Sequence, residues 1–308
     1  MSVHKTAAQF GIHVLPKHYY SPFADIEDLR RTSTSWAQPS AMVGVNIPTV
    51  VQQLEAVRAL LMTTNSEEWR STYDLAVSEA FGQGFGRIEA RVLDAFLRST
   101  KPRRVIEIGG GVTSACIAGA LKANGGQASH TVIEPYPSPA LTNFDAISLM
   151  RKPVQVVELD FFHQLGPGDL LFVDSSHVVN AGSDVCRIIL EILPRLAPGV
   201  YVHFHDINFP YDFRADILES PFSQGAEGAL LHAFLTGNSG VEVLFALSQI
   251  HHECPHKLQE LIPEYHPVPT RNGLCENEGR KGKEVQHGTA GLHLPASIYL
   301  RTRPALRP

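Results

Sequence analysis

Acidic and histidine side chains follow a series of short apolar runs between residues 103 and 206. In chain order they are Glu107 before Gly109-Gly110-Gly111, then Glu134, Asp160, Asp174 with His177, and His205-Asp206. A glycine-rich turn lets the backbone approach a ligand and offers free N–H groups to it. Histidine titrates near neutral pH and can remove a proton beside a carboxylate. The set therefore predicts a nucleotide-like ligand next to proton-transfer chemistry.

The spacing of the first two groups favours a ribose-containing ligand. Glu134 stands 23 positions after Gly111, a distance suited to an acid that binds ribose hydroxyls above a glycine turn. A dinucleotide site prefers Gly-x-Gly-x-x-Gly, whereas the sixth position here is Ser114. A nicotinamide-dependent oxidoreductase is therefore the weaker interpretation, although it stays open.

The elements that must position these residues alternate between strand and helix. Apolar runs RVIEIG, HTVIEP, VQVVELD, DLLFVDSS and VYVHFHD are separated by the helical patterns SACIAGALKA, ALTNFDAISLMRK and AGSDVCRIILEILPRL. Such alternation predicts a doubly wound α/β fold with a mainly parallel sheet, which VEVLFAL and SIYLRTR would complete. Because the carboxyl ends of parallel strands meet at one edge, the polar residues should form one site.

The rest of the chain is expected to frame this sheet. We predict an N-terminal lead-in and helical cap over residues 1–80, irregular to about residue 48, with a helix from Ile47 to about Leu61. Residues 81–308 would form the main domain, including a helix in EARVLDAFLRST. Residues 251–293 are predicted to be a polar, exposed insertion, since their histidines and cysteines lack the paired spacing of a zinc site.

Composition excludes several classes of function. The 308 residues carry a net charge of −5 and 44% hydrophobic residues, without a long basic run or an apolar stretch of membrane-spanning length. This disfavours nucleic acid and membrane partners. Four cysteines at scattered spacings and a polar start predict a cytoplasmic protein without a disulfide framework.

The motifs resemble those of a known family. Glu107-x-Gly109-x-Gly111 followed by Glu134 resembles the first two motifs of class I S-adenosylmethionine-dependent methyltransferases. The D-S-S-H and H-F-H-D motifs, with HYYSPF near the start, resemble bacterial methyltransferases of glycan or natural-product clusters. The resemblance covers most of residues 18–247 and implies a seven-stranded Rossmann-like sheet with S-adenosylmethionine as cofactor.

The resemblance also implies roles for individual residues. Glu107, Gly109 and Gly111 would shape the pocket for the methionine moiety, Glu134 would hold the ribose and Asp160 would lie by the adenine. Asp174 would face the sulfonium, and Tyr20 and Ser21 would fold over the cofactor. Ser114 completes the predicted cofactor-binding set. The reaction would be in-line methyl transfer to an oxygen, or less favourably a nitrogen, of a small polar acceptor such as a sugar or secondary metabolite.

Such a reaction needs a base near the methyl group. We assign general-base catalysis to His205, acceptor positioning to His177, and orienting roles to Asp174 and Asp206. Asp174, His205 and Asp206 could instead hold a divalent metal ion, although related metal-dependent enzymes have an acidic pair where this chain has His205-Asp206. A non-catalytic S-adenosylmethionine-binding scaffold is the main alternative, and a homo-oligomer stays open.

Overall fold

The computed structural model describes residues 23–64, 67–82, 84–213, 215–218, 225–268 and 292–304. It also describes residues 270–271 and 274–275 and, near the start, 6–7, 9–12, 14–15, 17–18 and 20–21. Much of the predicted polar insertion, including residues 276–291, lies outside this part of the chain.

A seven-stranded sheet forms the centre of the molecule. Its strands are β1 Arg104–Ile108, β2 Ser129–Ile133, β3 Ser148–Met150, β4 Leu170–Val173, β5 Tyr201–Phe204, β6 Val241–Ala246 and β9 Ile298–Thr302, in the order β3-β2-β1-β4-β5-β9-β6. The first five are parallel, and β9 runs antiparallel between β5 and β6. The predicted mainly parallel sheet, completed by two late strands, is confirmed. A two-stranded hairpin, β7 Thr270–Arg271 and β8 Leu274–Cys275, is separate from it.

Helices cover both faces of the sheet. They are α1 Ile26–Trp36, α2 Val50–Met62, α3 Glu68–Ser78, α4 Arg87–Thr100, α5 Val112–Ala123, α6 Pro139–Thr142, α7 Asp184–Arg187, α8 Glu227–Leu235, α9 Leu247–Glu253 and α10 Pro255–Leu261. After α7 the chain continues as a π-helical turn, Ile188–Ile192, and a 3-10 turn, Leu193–Arg195. All four residues of β4 are buried, as expected of a parallel strand covered on both sides. None of the described helices is long and apolar enough to cross a bilayer.

The third strand is not where the sequence pattern predicts it. Segment VQVVELD folds as two 3-10 turns, Val154–Val156 and Leu159–Gln164, while β3 comes from the predicted helix ALTNFDAISLMRK. Only Pro139–Thr142 of that segment is helical. Met150 pairs with Ile133, and Pro153, which fixes φ and has no N–H, then precedes the first 3-10 turn. The strand prediction for Glu158-Leu159-Asp160 is therefore wrong.

The framing segments are also more helical than expected. Helix α1 lies within the predicted irregular lead-in; none of its residues is fully buried, and Ile26, Leu29 and Trp36 give it only a sparse apolar face. Asp25 caps it by accepting from the N–H groups of Glu27 and Asp28. Helices α9 and α10 occupy the start of the predicted exposed insertion, and His251 is only 2% exposed. That part of the insertion is packed structure.

Candidate functional site

A cavity of about 540 Å³ opens at the carboxyl edge of the sheet. Its walls include Gly109 after β1, Glu134 after β2, and Asp174 after β4. Ser176 and Asp184 form another part of the wall, where Asp184 accepts hydrogen bonds from the Ser176 N–H at 2.9 Å and hydroxyl at 2.6 Å. The structure thus brings three of the predicted strand ends into one pocket.

The turn after β1 requires glycine for two reasons. Gly109 has φ +83°, and a Cβ at this position would lie 1.7 Å from the backbone oxygen of Asp174. A Cβ on Gly110 would lie 2.5 Å from the Val132 side chain. The backbone of the turn therefore packs directly against β4 and β2, and it passes close to the space where a ligand can enter.

Glu134 is held rigidly at the wall of this cavity. One carboxylate oxygen accepts a hydrogen bond from the Gly110 N–H at 3.2 Å, and the other accepts one from the Tyr136 N–H at 2.7 Å. Tyr136 also lines the cavity, and its side chain is 88% exposed. Tyr136 was not predicted from the sequence, where its only signal is an aromatic residue two positions after Glu134.

Glu107 and Ser114 support the turn from behind, and neither lines the cavity. The buried Glu107 carboxylate accepts from the Thr113 hydroxyl at 2.5 Å and lies 2.8 Å from His130 Nε2. The equally buried Ser114 hydroxyl accepts from the Gly111 N–H at 3.2 Å. Both were expected among the cofactor-binding residues, and the structure places them behind the turn and not at the cavity wall. Gly111 lies in the turn, beside the backbone of Gly82.

Three other expected cofactor residues lie away from the cavity. The Asp160 side chain is 95% exposed in a 3-10 turn, 3.3 Å from His163, because the predicted strand that would have aimed it inward does not exist. Tyr20 is 84% exposed and stacks on His18. Ser21 is half-buried and its hydroxyl accepts a 3.4 Å bond from the Phe23 N–H. These three expectations are not supported.

Beside the cavity, Asp174 belongs to a row in which carboxylates alternate with histidine rings. Its Oδ1 atom lies 3.3 Å from His205 Nδ1 and 3.6 Å from His177 Nε2. Asp206 lies between the same two rings, 3.5 Å from His177 Nε2 and 3.8 Å from His205 Nδ1. The structure therefore gathers all four predicted catalytic residues.

Each histidine of this row also contacts a carboxylate that the sequence analysis missed. His177 Nδ1 lies 2.7 Å from Glu227 at the start of α8, and His205 Nε2 lies 3.4 Å from Glu89 in the first turn of α4. Both glutamates are buried, at 2% and 4% exposure. From sequence alone, an acid in the first turn of a helix is ordinarily interpreted as a capping residue. Glu89 does have that role as well, because its carboxylate accepts a hydrogen bond from the Gly86 N–H.

The carboxylates favour the charged form of both rings. Burial opposes protonation of His177, but the hydrogen bond to Glu227 and the charge of Asp206 outweigh it and raise its pKa to about 9. Burial likewise opposes protonation of His205, yet Asp206, Asp174 and Glu89 raise its pKa well above the ordinary value. Because both His205 nitrogens face carboxylates and the side chain is 3% exposed, the ring lies behind Asp174 and out of reach of a ligand in the cavity. Its expected role as general base does not fit this geometry.

His203, two residues before His205, faces the same side of β5. It is fully buried and stacks on Phe172 with ring centroids 4.1 Å apart. Burial, together with the charge of His205, lowers its pKa, so this ring is a neutral core residue.

The backbone at the row is conformationally constrained. His177 and Asp206 have φ values of +61° and +58°, in the left-handed region that residues with a Cβ seldom adopt. Such conformations cost roughly 1–3 kcal/mol and persist where surrounding contacts impose them, commonly at functional sites.

Three residues of the same row, Asp174, His205 and Asp206, were predicted as possible metal ligands. Among the residues that the structure describes, no group of three or more His, Cys, Asp or Glu side chains could hold a metal. Asp174, His205 and Asp206 do lie together, but both ring nitrogens of His205 face carboxylates. A metal there would have to displace one of those contacts, so these three residues do not fit a metal ion in this arrangement.

Comparison with known proteins gives a family match within the sheet. Residues 106–207 match the family model described as a methyltransferase domain. An uncharacterized protein of Archaeoglobus fulgidus is 26% identical over 161 residues, which is 49% of this chain and 72% of that protein.

Two solved structures illustrate the structural similarity. Podospora anserina methyltransferase PaMTH1, bound to SAH, is 15% identical with a TM-score of 0.40 over 95% of this chain and 100% of that chain. The O-methyltransferase TomG of Streptomyces achromogenes, involved in tomaymycin synthesis and bound to SAM, is 17% identical with a TM-score of 0.40. That alignment covers 58% of this chain and 82% of TomG.

The matched residues run from β1 to the residue after Asp206 and contain the glycine turn, His177 and His205. Around them the sheet has five parallel strands and one antiparallel strand inserted before the last. Residues 106–207 thus match a methyltransferase domain, and the seven-stranded, mainly parallel sheet around them is the one that the resemblance to class I methyltransferases predicts.

Proposed function

We propose that this protein transfers a methyl group from S-adenosylmethionine to an oxygen of a small polar acceptor such as a sugar or secondary metabolite, with nitrogen the less favoured acceptor atom. The observation that carries the proposal is the Glu134 carboxylate, which two backbone N–H groups hold at the wall of the cavity that Asp174 also lines. A fixed carboxylate whose remaining lone pairs face a cavity is suited to a pair of ribose hydroxyls.

The walls of the cavity suit the different parts of such a cofactor. Glu134 accepts from the ribose, and the exposed ring of Tyr136 offers an apolar face to the adenine. Asp174 places a negative charge at the end nearest the histidines, where a sulfonium is favoured. When bound, the cofactor supplies the methyl group on a positively charged sulfur.

The acceptor must lose a proton as it is methylated, and we assign that proton to His177. Its side chain is 27% exposed, against 3% for His205, so it is the more accessible of the two rings, and its neighbours Ser176 and Val178 line the cavity. Nδ1 is occupied by Glu227, which leaves Nε2 as the nitrogen that faces Asp174 and Asp206. His205 and Glu89 then hold Asp174 from the buried side.

The lead-in provides a cover for the acceptor side in this proposal. Helix α1 contacts the chain after β5, where the Arg30 guanidinium donates to the Leu218 carbonyl at 2.8 Å and Trp36 packs edge-on against Phe213. Residues 1–80 would therefore act as a cap on a domain formed by residues 81–308. We also place the reaction in the cytosol; the described cysteines Cys116, Cys186 and Cys254 are free thiols.

The test has a binding arm and a turnover arm. Isothermal titration should detect binding of S-adenosylmethionine and S-adenosylhomocysteine, and an absence of affinity for both would refute the proposal. Incubation with a panel of sugars, phenols and amines should then produce a methylated product by mass spectrometry. Binding without turnover of any acceptor would instead favour the scaffold, and NADH fluorescence enhancement without S-adenosylmethionine binding would favour the oxidoreductase.

A further inference from the structure

Glu227 makes the shortest contact that either histidine of the row receives. Its Oε2 atom lies 2.7 Å from His177 Nδ1, while Oε1 accepts a 3.2 Å hydrogen bond from the Ser175 hydroxyl. The carboxylate is 2% exposed. A carboxylate removed from water in this way requires hydrogen-bonding partners, and here both come from the Asp174–His177 turn. Glu227 is therefore bonded to the turn that carries the catalytic residues.

The backbone before α8 holds the same turn. The Ala226 N–H donates to the His177 carbonyl at 3.1 Å. A Cβ on Gly225 would lie 2.8 Å from that carbonyl oxygen, so the two segments are in direct contact. This contact accompanies the left-handed backbone of His177, whose φ is +61°. The start of α8 and the Asp174–His177 turn thus form one packed unit.

The consequence concerns which ring nitrogen is free to react. In the neutral ring, which prevails only above the raised pKa of about 9, a carboxylate at Nδ1 stabilises the tautomer that carries its proton there, and Nε2 is then the nitrogen with a lone pair. Nε2 is also the atom directed at the two aspartates, 3.6 Å from Asp174 and 3.5 Å from Asp206. Nε2 is therefore the ring nitrogen nearest to Asp174, the member of the row that lines the cavity.

We propose that Glu227 is a positioning residue for His177: it accepts a hydrogen bond from the Nδ1–H group and so directs Nε2 to the acceptor. This inference rests on the proposed function. In the step that it serves, the acceptor oxygen forms a bond to the methyl carbon as the carbon–sulfur bond breaks and its electron pair stays on sulfur. The acceptor proton moves to His177 Nε2, and Glu227 remains ionised throughout.

The decisive variant is Glu227→Gln, which keeps the size of the side chain and a partner for Ser175. Its amide group can donate to Nδ1 and thereby select the opposite tautomer, in which Nε2 carries the proton and cannot accept another. We expect kcat to fall by roughly 10²-fold or more, within the range attributed to general acid–base catalysis, while the acceptor KM and the affinity for S-adenosylhomocysteine stay unchanged.

A second readout does not depend on activity. In protein labelled with ¹⁵N-histidine, NMR should show the His177 Nδ1–H group in the unmodified chain, and Glu227→Gln should change its signal. His177→Gln identifies the resonance. If the unmodified chain bound no cofactor, the proposed function would fail, yet this signal would still report on the Glu227 contact.

The matched control is His232→Gln on the same helix. His232 Nδ1 lies 2.8 Å from Asp212, so this substitution breaks a similar histidine–carboxylate pair away from the row. It should leave kcat unchanged. An equal loss in His232→Gln, or parent-like kcat and NMR signal in Glu227→Gln, would overturn the inference. If Glu227→Gln does not fold, Glu227→Asp keeps the charge but shortens its reach; it should reduce kcat and shift the same signal, and a parent-like result would be equally decisive.

Discussion

Replacing Glu134 by glutamine tests the ribose contact on which the proposed function depends. Both carboxylate oxygens already accept backbone hydrogen bonds, from Gly110 and Tyr136, so a ribose would use the remaining lone pairs. The amide turns one oxygen into a donor and removes the negative charge. It therefore loses an acceptor for the ribose and places an NH₂ group against the N–H of the turn.

The size of the effect follows from these contacts. A hydrogen bond to a charged group contributes about 1.5–3 kcal/mol, and leaving a polar group unpaired costs a similar amount. We expect Glu134→Gln to weaken S-adenosylhomocysteine binding by about 2–3 kcal/mol, or roughly 30- to 160-fold in Kd. Isothermal titration measures this directly, and a thermal melt checks that the variant is folded.

Asp160→Asn supplies the matched control because it makes the same carboxylate-to-amide change on a side chain that is 95% exposed. The sequence pattern placed Asp160 at the adenine, whereas the structure places it in solvent, so this variant should bind like the parent chain. Parent-like binding by Glu134→Gln, or a comparable loss in Asp160→Asn, would refute the reasoning about the cavity.

Three further predictions follow from other parts of the structure. Gly109→Ala should abolish S-adenosylhomocysteine binding and destabilise the fold by about 2 kcal/mol or more, because its Cβ would lie 1.7 Å from the Asp174 carbonyl; a parent-like urea midpoint contradicts this. Glu89→Gln should lower kcat roughly tenfold with unchanged cofactor affinity, since it removes the charge that faces His205 Nε2; steady-state kinetics that match the parent would exclude the role. Burial and the neighbouring His252 lower the pKa of His251 from 6.5 to about 3, so the unfolded chain binds this proton first as the pH falls. The free energy of unfolding should therefore decrease below pH 6.5 by up to about 1.4 kcal/mol per pH unit from this group, and in urea titrations His251→Gln should show a shallower pH dependence.

Much of the sheet could be predicted because its strands carry a local signal. The strands β1, β2, β4 and β5 are short, mostly buried runs rich in branched residues, and such runs are visible in the sequence. The strand β3 has three residues, none of them fully buried, at the edge of the sheet. Its apolar residues lie inside a longer helical pattern, so the local sequence predicted a helix where the structure has a strand.

The error at β3 carried through to the site. Asp160 was placed in the pocket only because VQVVELD was interpreted as a strand whose end would point there. In contrast, Gly109, Glu134 and Asp174 follow strands that were identified correctly, and these three do share a cavity. A site residue was therefore placed correctly where the strand before it had been identified correctly.

By itself the sequence determined the strands β1, β2, β4 and β5, the glycine turn, and the convergence of Glu134, Asp174 and the two histidines at one edge, since these follow from local period and from the geometry of parallel strands. Only the tertiary structure decided what each histidine contacts. Glu89 and Glu227 come from helices 116 and 50 residues away in the chain from His205 and His177, respectively. No local pattern encodes such pairings, because they arise when separate helices pack on the sheet. They decide which ring is buried and which carboxylates each ring nitrogen faces.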